Sequence, residues 1–205
     1  MNYDQLASQQ SIDKTVAALA ERNVEAVVVE NRTEAMEKIK SFIPVGASVM
    51  NGSSRTLEEI GFIDYLKSGQ HGWNNLHEAI LAEQDKEKQA LLRKQSVISD
   101  YYLGSVHALA ETGEMVIASN TGSQLPHVVY TSPNVIFVVG IQKIAPTLSD
   151  ALRRLEEYVV PLEDQRMMKA YNMHTNQSKT LIFRYEAPFN GRKIIMILVK
   201  EKLGF

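Results

Sequence analysis

Three polar clusters in this chain have the composition of sites that hold small anions. The first, Val49-Met50-Asn51-Gly52-Ser53-Ser54-Arg55-Thr56-Leu57-Glu58-Glu59, runs from an apolar stretch through a small polar turn into a helical pattern. Such a turn aims unpaired backbone N–H groups at one point, aided by the dipole of the following helix. Asn51, Gly52, Ser53, Ser54 and Thr56 are therefore ligand-binding candidates for a phosphate or carboxylate. The stretch also reads as a helix start alone, because Thr56 followed by Glu59 is a capping box.

The second cluster is Gly104-Ser105-Val106-His107-Ala108-Leu109-Ala110-Glu111-Thr112-Gly113. A carboxylate between two buried segments loses solvation, which raises its pKa and suits it to general-base work. Glu111 is the catalytic candidate, with Thr112 and Gly113 as ligand-binding neighbours. The alternative is a carboxylate satisfied by backbone N–H groups at a turn. The third cluster, Ser119 to His127, places Asn120 and Thr121 on a polar loop after a strand, where they could line a pocket or face solvent. Lys143, beyond the strand ending at Gly140, would add positive charge for an anion or simply solubilise a surface.

Other chemistries lack their residues. The five histidines show no metal-binding spacing. Ser105 and His107 lie two apart, but a catalytic dyad draws on separate segments and an orienting acid, so their proximity reads as coincidence. The glycines form no Gly-x-Gly-x-x-Gly, so no dinucleotide or other cofactor is expected. With no cysteine, the chain holds no disulfide, thiolate nucleophile or cysteine-ligated cluster, and any redox cluster must belong to a partner.

The elements that must position these clusters follow from hydrophobic spacing. Tyr3 to Arg22 has the three- and four-residue apolar steps of an amphipathic helix, here bounded at 3–22 and docked on the domain. Strands are expected at Val24–Glu30, Ala47–Met50, Tyr101–Leu103, Met115–Ala118 and Val135–Val139, and helices at Thr33–Ser41, Thr56–Lys67 and Ser149–Tyr158. Residues 70–100 read as one or two partly exposed helices. Thr180–Tyr185 and Lys193–Val199 flank Asn190-Gly191 and look like a hairpin. The alternation predicts an α/β fold, an open and largely parallel sheet with helices on both faces and an antiparallel addition near the C-terminus. Ligands of such sheets bind beyond the carboxyl ends of the strands.

The 205 residues, 44% of them hydrophobic, suffice for one domain spanning 1–205 with a substantial core. Basic and acidic residues number 22 and 24, leaving a formal charge of −2 and no field that favours nucleic acid or anionic lipid. The N-terminus lacks the pattern of a secretory signal and no apolar run approaches membrane-spanning length, so a cytoplasmic location away from the membrane is expected.

Taken in order, the clusters resemble the lactate-utilisation (LUD) domain family. The resemblance lies in Asn51-Gly52-Ser53-Ser54-x-Thr56-Leu57-x-Glu59-x-Gly61, in Asp100 to Gly113, and in Val135-x-x-Val138-Val139-Gly140-x-x-Lys143-Ile144-x-Pro146. It implies a fold like that of ribose-5-phosphate isomerase, glucosamine-6-phosphate deaminase and CoA transferases. In such relatives an early glycine/serine/threonine loop holds an anion and a later carboxylate does acid–base or nucleophilic work, the places of Ser53, Ser54 and Thr56 and of Glu111. Many members carry Gly-Pro-Ser-x-Thr-Ala-Asp before the final strands. This chain keeps Ser178 and Thr180 but has Ile182 in place of the acid. The resemblance implies a protein that binds a small anionic metabolite and takes part in lactate (2-hydroxy acid) utilisation with separately encoded iron–sulfur proteins. A stand-alone enzyme on a sugar phosphate or acyl-CoA, and a non-catalytic binding module, are the alternatives. A homo-oligomer is left open.

Overall fold

The computed structural model describes residues 2–205. The first half of the chain runs α1 (Gln9–Glu21), β1 (Glu25–Val29), α2 (Arg32–Phe42), β2 (Ser48–Asn51), α3 (Arg55–Glu59), α4 (Phe62–Ser68), β3 (Asn74–Asn75), α5 (Leu76–Ala82) and α6 (Lys86–Gln95). Then follow β4 (Tyr101–Gly104), β5 (Ala108–Ala110), β6 (Met115–Ser119), β7 (Asn134–Gly140), β8 (Ile144–Ala145), α7 (Leu148–Arg154), α8 (Val160–Tyr171), β9 (Lys179–Phe183) and β10 (Lys193–Val199). A π-helical segment at Leu155–Val159 joins α7 to α8. No helix among the described residues is long and apolar enough to cross a membrane.

Six strands form an all-parallel sheet in the order β1-β10-β7-β4-β2-β3. The sheet separates two cores because alternate side chains point to opposite faces. Ile136 and Val138 of β7 and Ile195, Ile197 and Val199 of β10 meet Ala35, Met36 and Ile39 of α2, with Leu57 and Phe62. Val135, Phe137 and Val139 of β7 and Ile194, Met196 and Leu198 of β10 face the other way, toward Ile12 and Leu19 of α1 and a second sheet.

The second sheet is mixed, in the order β8-β5-β6-β9. Leu109, Met115, Ile117 and Phe183 pack toward the parallel sheet. Its small residues Ala108, Val116 and Ala145 receive Ala151, Leu155 and Val159 from the α7 region. The layers are thus helix, parallel sheet, mixed sheet and helix.

Four sequence readings change. The N-terminal helix begins at Gln9, where the Ser8 hydroxyl accepts the Ser11 N–H, rather than at residue 3. The expected helix over Thr56–Lys67 is two helices, broken at Gly61, whose φ of 80° suits glycine. The helix expected to end at Tyr158 continues to Tyr171. The expected hairpin does not form. β9 pairs antiparallel with β6, while β10 enters the parallel sheet between β1 and β7. Ile194 to Val199 are buried on both faces, each at most 1% exposed, and a fully apolar strand gains most at the centre of a doubly covered sheet.

Candidate active site

Parallel pairing brings the carboxyl ends of β2, β4, β7 and β10 to one edge of the sheet. The segments that leave them supply Gly52–Thr56, Ser105–His107, Lys143 and Gly204–Phe205 to the wall of a single cavity of about 680 Å³. The loop after β6 adds Asn120, Thr121 and Gln124, α5 and α6 add His77 and Arg93, and α8 adds Glu163 and Arg166. Roughly 300–1,000 Å³ is usual for a small-molecule site.

Lys143 is the central charge. It is only 3% exposed, and its Nζ donates to Thr56 Oγ1 at 3.0 Å, Ser105 Oγ at 3.2 Å and the Val106 carbonyl at 3.3 Å. It makes no ion pair with any carboxylate among the described residues. Burial brings its pKa down to about 7; the Arg154 charge adds to the effect and Glu59 opposes it. The amine is therefore poised between charged and neutral forms near neutrality.

Glycines let backbone approach this group. A Cβ on Gly52 would collide with the Tyr102 hydroxyl. Gly204 has φ of 61°, and a Cβ there would lie 2.6 Å from Thr56 Oγ1 and 3.2 Å from Lys143 Nζ. Gln142 Nε2 donates to the Leu203 carbonyl at 2.8 Å, and the Gly204 N–H donates to Glu59 Oε2 at 2.8 Å, fixing this tail over the site. Asn51 donates its side-chain N–H to the Gly52 carbonyl at 3.1 Å, which leaves Oδ1 as a buried acceptor without a partner.

His107 is held in one tautomer. Its Nδ1 accepts the Ala118 N–H at 3.1 Å, so the neutral ring carries its proton on Nε2. Burial, then the charges of Lys143 and Arg154, push its pKa down to about 3. It is a neutral hydrogen-bond donor at neutral pH. Ser105 does not bond to it but to Lys143 and the Val106 carbonyl, so the two form no nucleophilic dyad.

The cavity wall carries four basic side chains, Arg55, Arg93, Lys143 and Arg166, against one acid, Glu163. Glu163 is occupied by a two-pronged pair with Arg166, both contacts at 2.7 Å. Arg55 is likewise paired, with Glu58 at 2.7 Å and Glu59 at 3.7 Å, which leaves Arg93 and Lys143 as the basic wall residues without an ion pair among the described residues.

With this geometry in view, the LUD domain family model matches residues 12–199. The chain belongs to the LUD domain family. Its fold is similar to that of a DUF162 family protein from Deinococcus radiodurans, known from a crystal structure at 1.70 Å resolution. The TM-score is 0.56 over 95% of this chain and 99% of that one, at 11% identity, a likeness of fold alone. No curated protein matches the chain in sequence.

This LUD domain gathers most of the residues singled out in sequence. Asn51, Gly52, Ser53, Ser54, Thr56, Asn120, Thr121 and Lys143 share the cavity. Glu111, Thr112 and Gly113 do not. Glu111 lines a separate pocket of about 330 Å³ that shares no residue with the first. Its carboxylate accepts the Ser11 hydroxyl at 2.5 Å and lies 3.5 Å from Lys14, both on α1. The loop after β5 belongs to the second sheet, so it opens away from the parallel strand ends. Thr112 bonds to Glu114, and Gly113 is required because a Cβ would meet Arg22.

The first loop also works differently from expectation. Ser54, not Thr56, caps α3 by accepting the Leu57 N–H at 3.3 Å. At five residues, α3 has little macrodipole to offer. Thr56 is instead 1% exposed and turned to Lys143. Sequence reasoning missed His107, Tyr102, Arg93 and Arg166. For His107 the signal was its place just beyond the carboxyl end of β4; the two arginines lie on helices whose docking no local pattern reveals.

Proposed function

We propose that this LUD domain binds a small anionic metabolite in the cavity at the parallel strand ends, and through it takes part in lactate (2-hydroxy acid) utilisation with iron–sulfur partners on separate chains. The observation that carries the binding is Lys143, a buried amine facing hydroxyls and forming no ion pair with a carboxylate among the described residues. An incoming anion supplies the missing counter-charge and restores the charged form that burial disfavours. Ser105 and Thr56 hold the amine in place, and His107 Nε2–H is a neutral donor suited to a ligand oxygen. A 2-hydroxy acid carries both an anion and a hydroxyl. The part played in lactate utilisation and the iron–sulfur partners rest on the family alone.

The alternative of a stand-alone enzyme on a sugar phosphate with Glu111 as base loses support, because that carboxylate lies in another pocket. The test is a thermal-shift series with lactate, pyruvate, sugar phosphates and acyl-CoA on the full chain. A ligand specific to the folded state at one hundred times its Kd stabilises by about 2.7 kcal/mol. A carboxylate should raise the melting temperature of the native chain and not that of Lys143→Met. Absence of any shift, or an equal shift in both proteins, refutes the site. Capture from the native host should recover iron–sulfur proteins, and recovery of none removes that part of the reading.

A further inference from the structure

We infer that Lys143 is a nucleophile that forms an imine with a carbonyl-bearing carboxylate, a small 2-oxo acid, held in the cavity. The inference rests on the anion site proposed above and names the chemistry that site would perform.

Three independent features point to it. Lys143 Nζ lies at the cavity wall without an ion pair among the described residues, and two of its three hydrogen-bond partners are hydroxyls that can reverse direction when the amine is neutral. Its neutral form is accessible near pH 7 because burial and the Arg154 charge both disfavour the cation, one of the ways in which a lysine amine becomes reactive. Two hydroxyls, on Thr56 and Ser105, lie 3.0 and 3.2 Å from Nζ, close enough to carry protons to and from the nitrogen.

The step balances without an oxidant. The Nζ lone pair attacks the carbonyl carbon, a C–N bond forms, and the C=O π electrons move to oxygen. A proton passes from nitrogen to that oxygen through the neighbouring hydroxyls, giving a carbinolamine. The proton that remains on nitrogen then passes by the same hydroxyls to that oxygen, which leaves as water while the nitrogen lone pair forms the C=N bond. The net change is amine plus ketone to imine plus water. The anionic carboxylate of the 2-oxo acid would be balanced by Arg93, which stands on the same wall without an ion pair among the described residues.

The test is reductive trapping of the full chain with pyruvate and sodium borohydride at pH 7, followed by intact mass and peptide mapping. The expected result is one adduct, on Lys143, saturating with pyruvate, absent when lactate replaces pyruvate and absent in Lys143→Arg. Mapping on the native chain makes the result independent of how the variant folds. Adducts distributed over surface lysines, or no adduct at Lys143, overturn the inference. Thermal shift by pyruvate on the same sample separates the two proposals: a shift without trapping refutes the imine and keeps the anion site, whereas neither signal refutes both.

Discussion

Replacing Lys143 by Met should change how stability depends on pH in a way worked directly from the structure. Lys143 has its pKa lowered from 10.5 to about 7 on folding, because the buried cavity wall disfavours the cation. Between those values the unfolded chain binds a proton that the native one does not, so stability rises with pH across that window. The penalty for burying the amine is fully present below pH 7 and disappears as the pH approaches 10.5. At 1.36 kcal/mol per pKa unit, the penalty is about 4 kcal/mol at pH 7 and falls by about 2 kcal/mol on going to pH 9. Met keeps the stem and removes the titrating group. Urea unfolding of both proteins at pH 6, 7, 8 and 9 cancels the contribution of every other titrating group. The native chain should gain about 2 kcal/mol on the variant between pH 7 and 9, with a much smaller gain between pH 6 and 7. Parallel stability curves over this range would refute the claim that Lys143 is buried without a counter-charge.

Three further outcomes follow from named contacts. Gly52→Ala should destabilise the fold by about 1–3 kcal/mol through its collision with the Tyr102 hydroxyl, and adding Tyr102→Phe should recover part of that loss in urea unfolding; strict additivity would contradict the contact. Glu111→Gln should leave the ligand-induced thermal shift intact and cost about 1 kcal/mol or less, since its partner Lys14 is 60% exposed; loss of the shift would return Glu111 to the site. Arg192→Met should cost about 3–5 kcal/mol by chemical denaturation, because it leaves the Glu186 carboxylate, 3% exposed and 2.8 Å from Arg192, without its charge partner; a change below 1 kcal/mol would show that water reaches the pair.

What local sequence could specify here was the content of elements and the chemistry at their ends. The run Val135-Ile136-Phe137-Val138-Val139 has few conformations in which so many branched and aromatic side chains are buried, and it became a central parallel strand. The polar loop following β2 and the lysine following β7 were legible as neighbours that line one cavity, because parallel strands deliver their carboxyl ends to one edge. Short elements were not legible. β5 and β8 have three and two residues, too few for a period to emerge, and they exist only because other strands complete their hydrogen bonds.

Long-range decisions also escaped local pattern. Asn190-Gly191 is a turn by its chemistry, yet the strand after it pairs with β1 and β7, since burying both faces of Ile194 to Val199 outweighs a local hairpin. Glu111 and Lys143 each follow a strand and carry the right chemistry, so by sequence they are equivalent partners for the Gly52–Thr56 loop. Which side of the stacked sheets each loop opens on depends on pairings made far along the chain, and those pairings gave the lysine to the cavity and the glutamate to α1. Sequence determined which groups could do chemistry; only tertiary pairing decided which of them meet, because strand ends become neighbours through hydrogen bonds between distant segments.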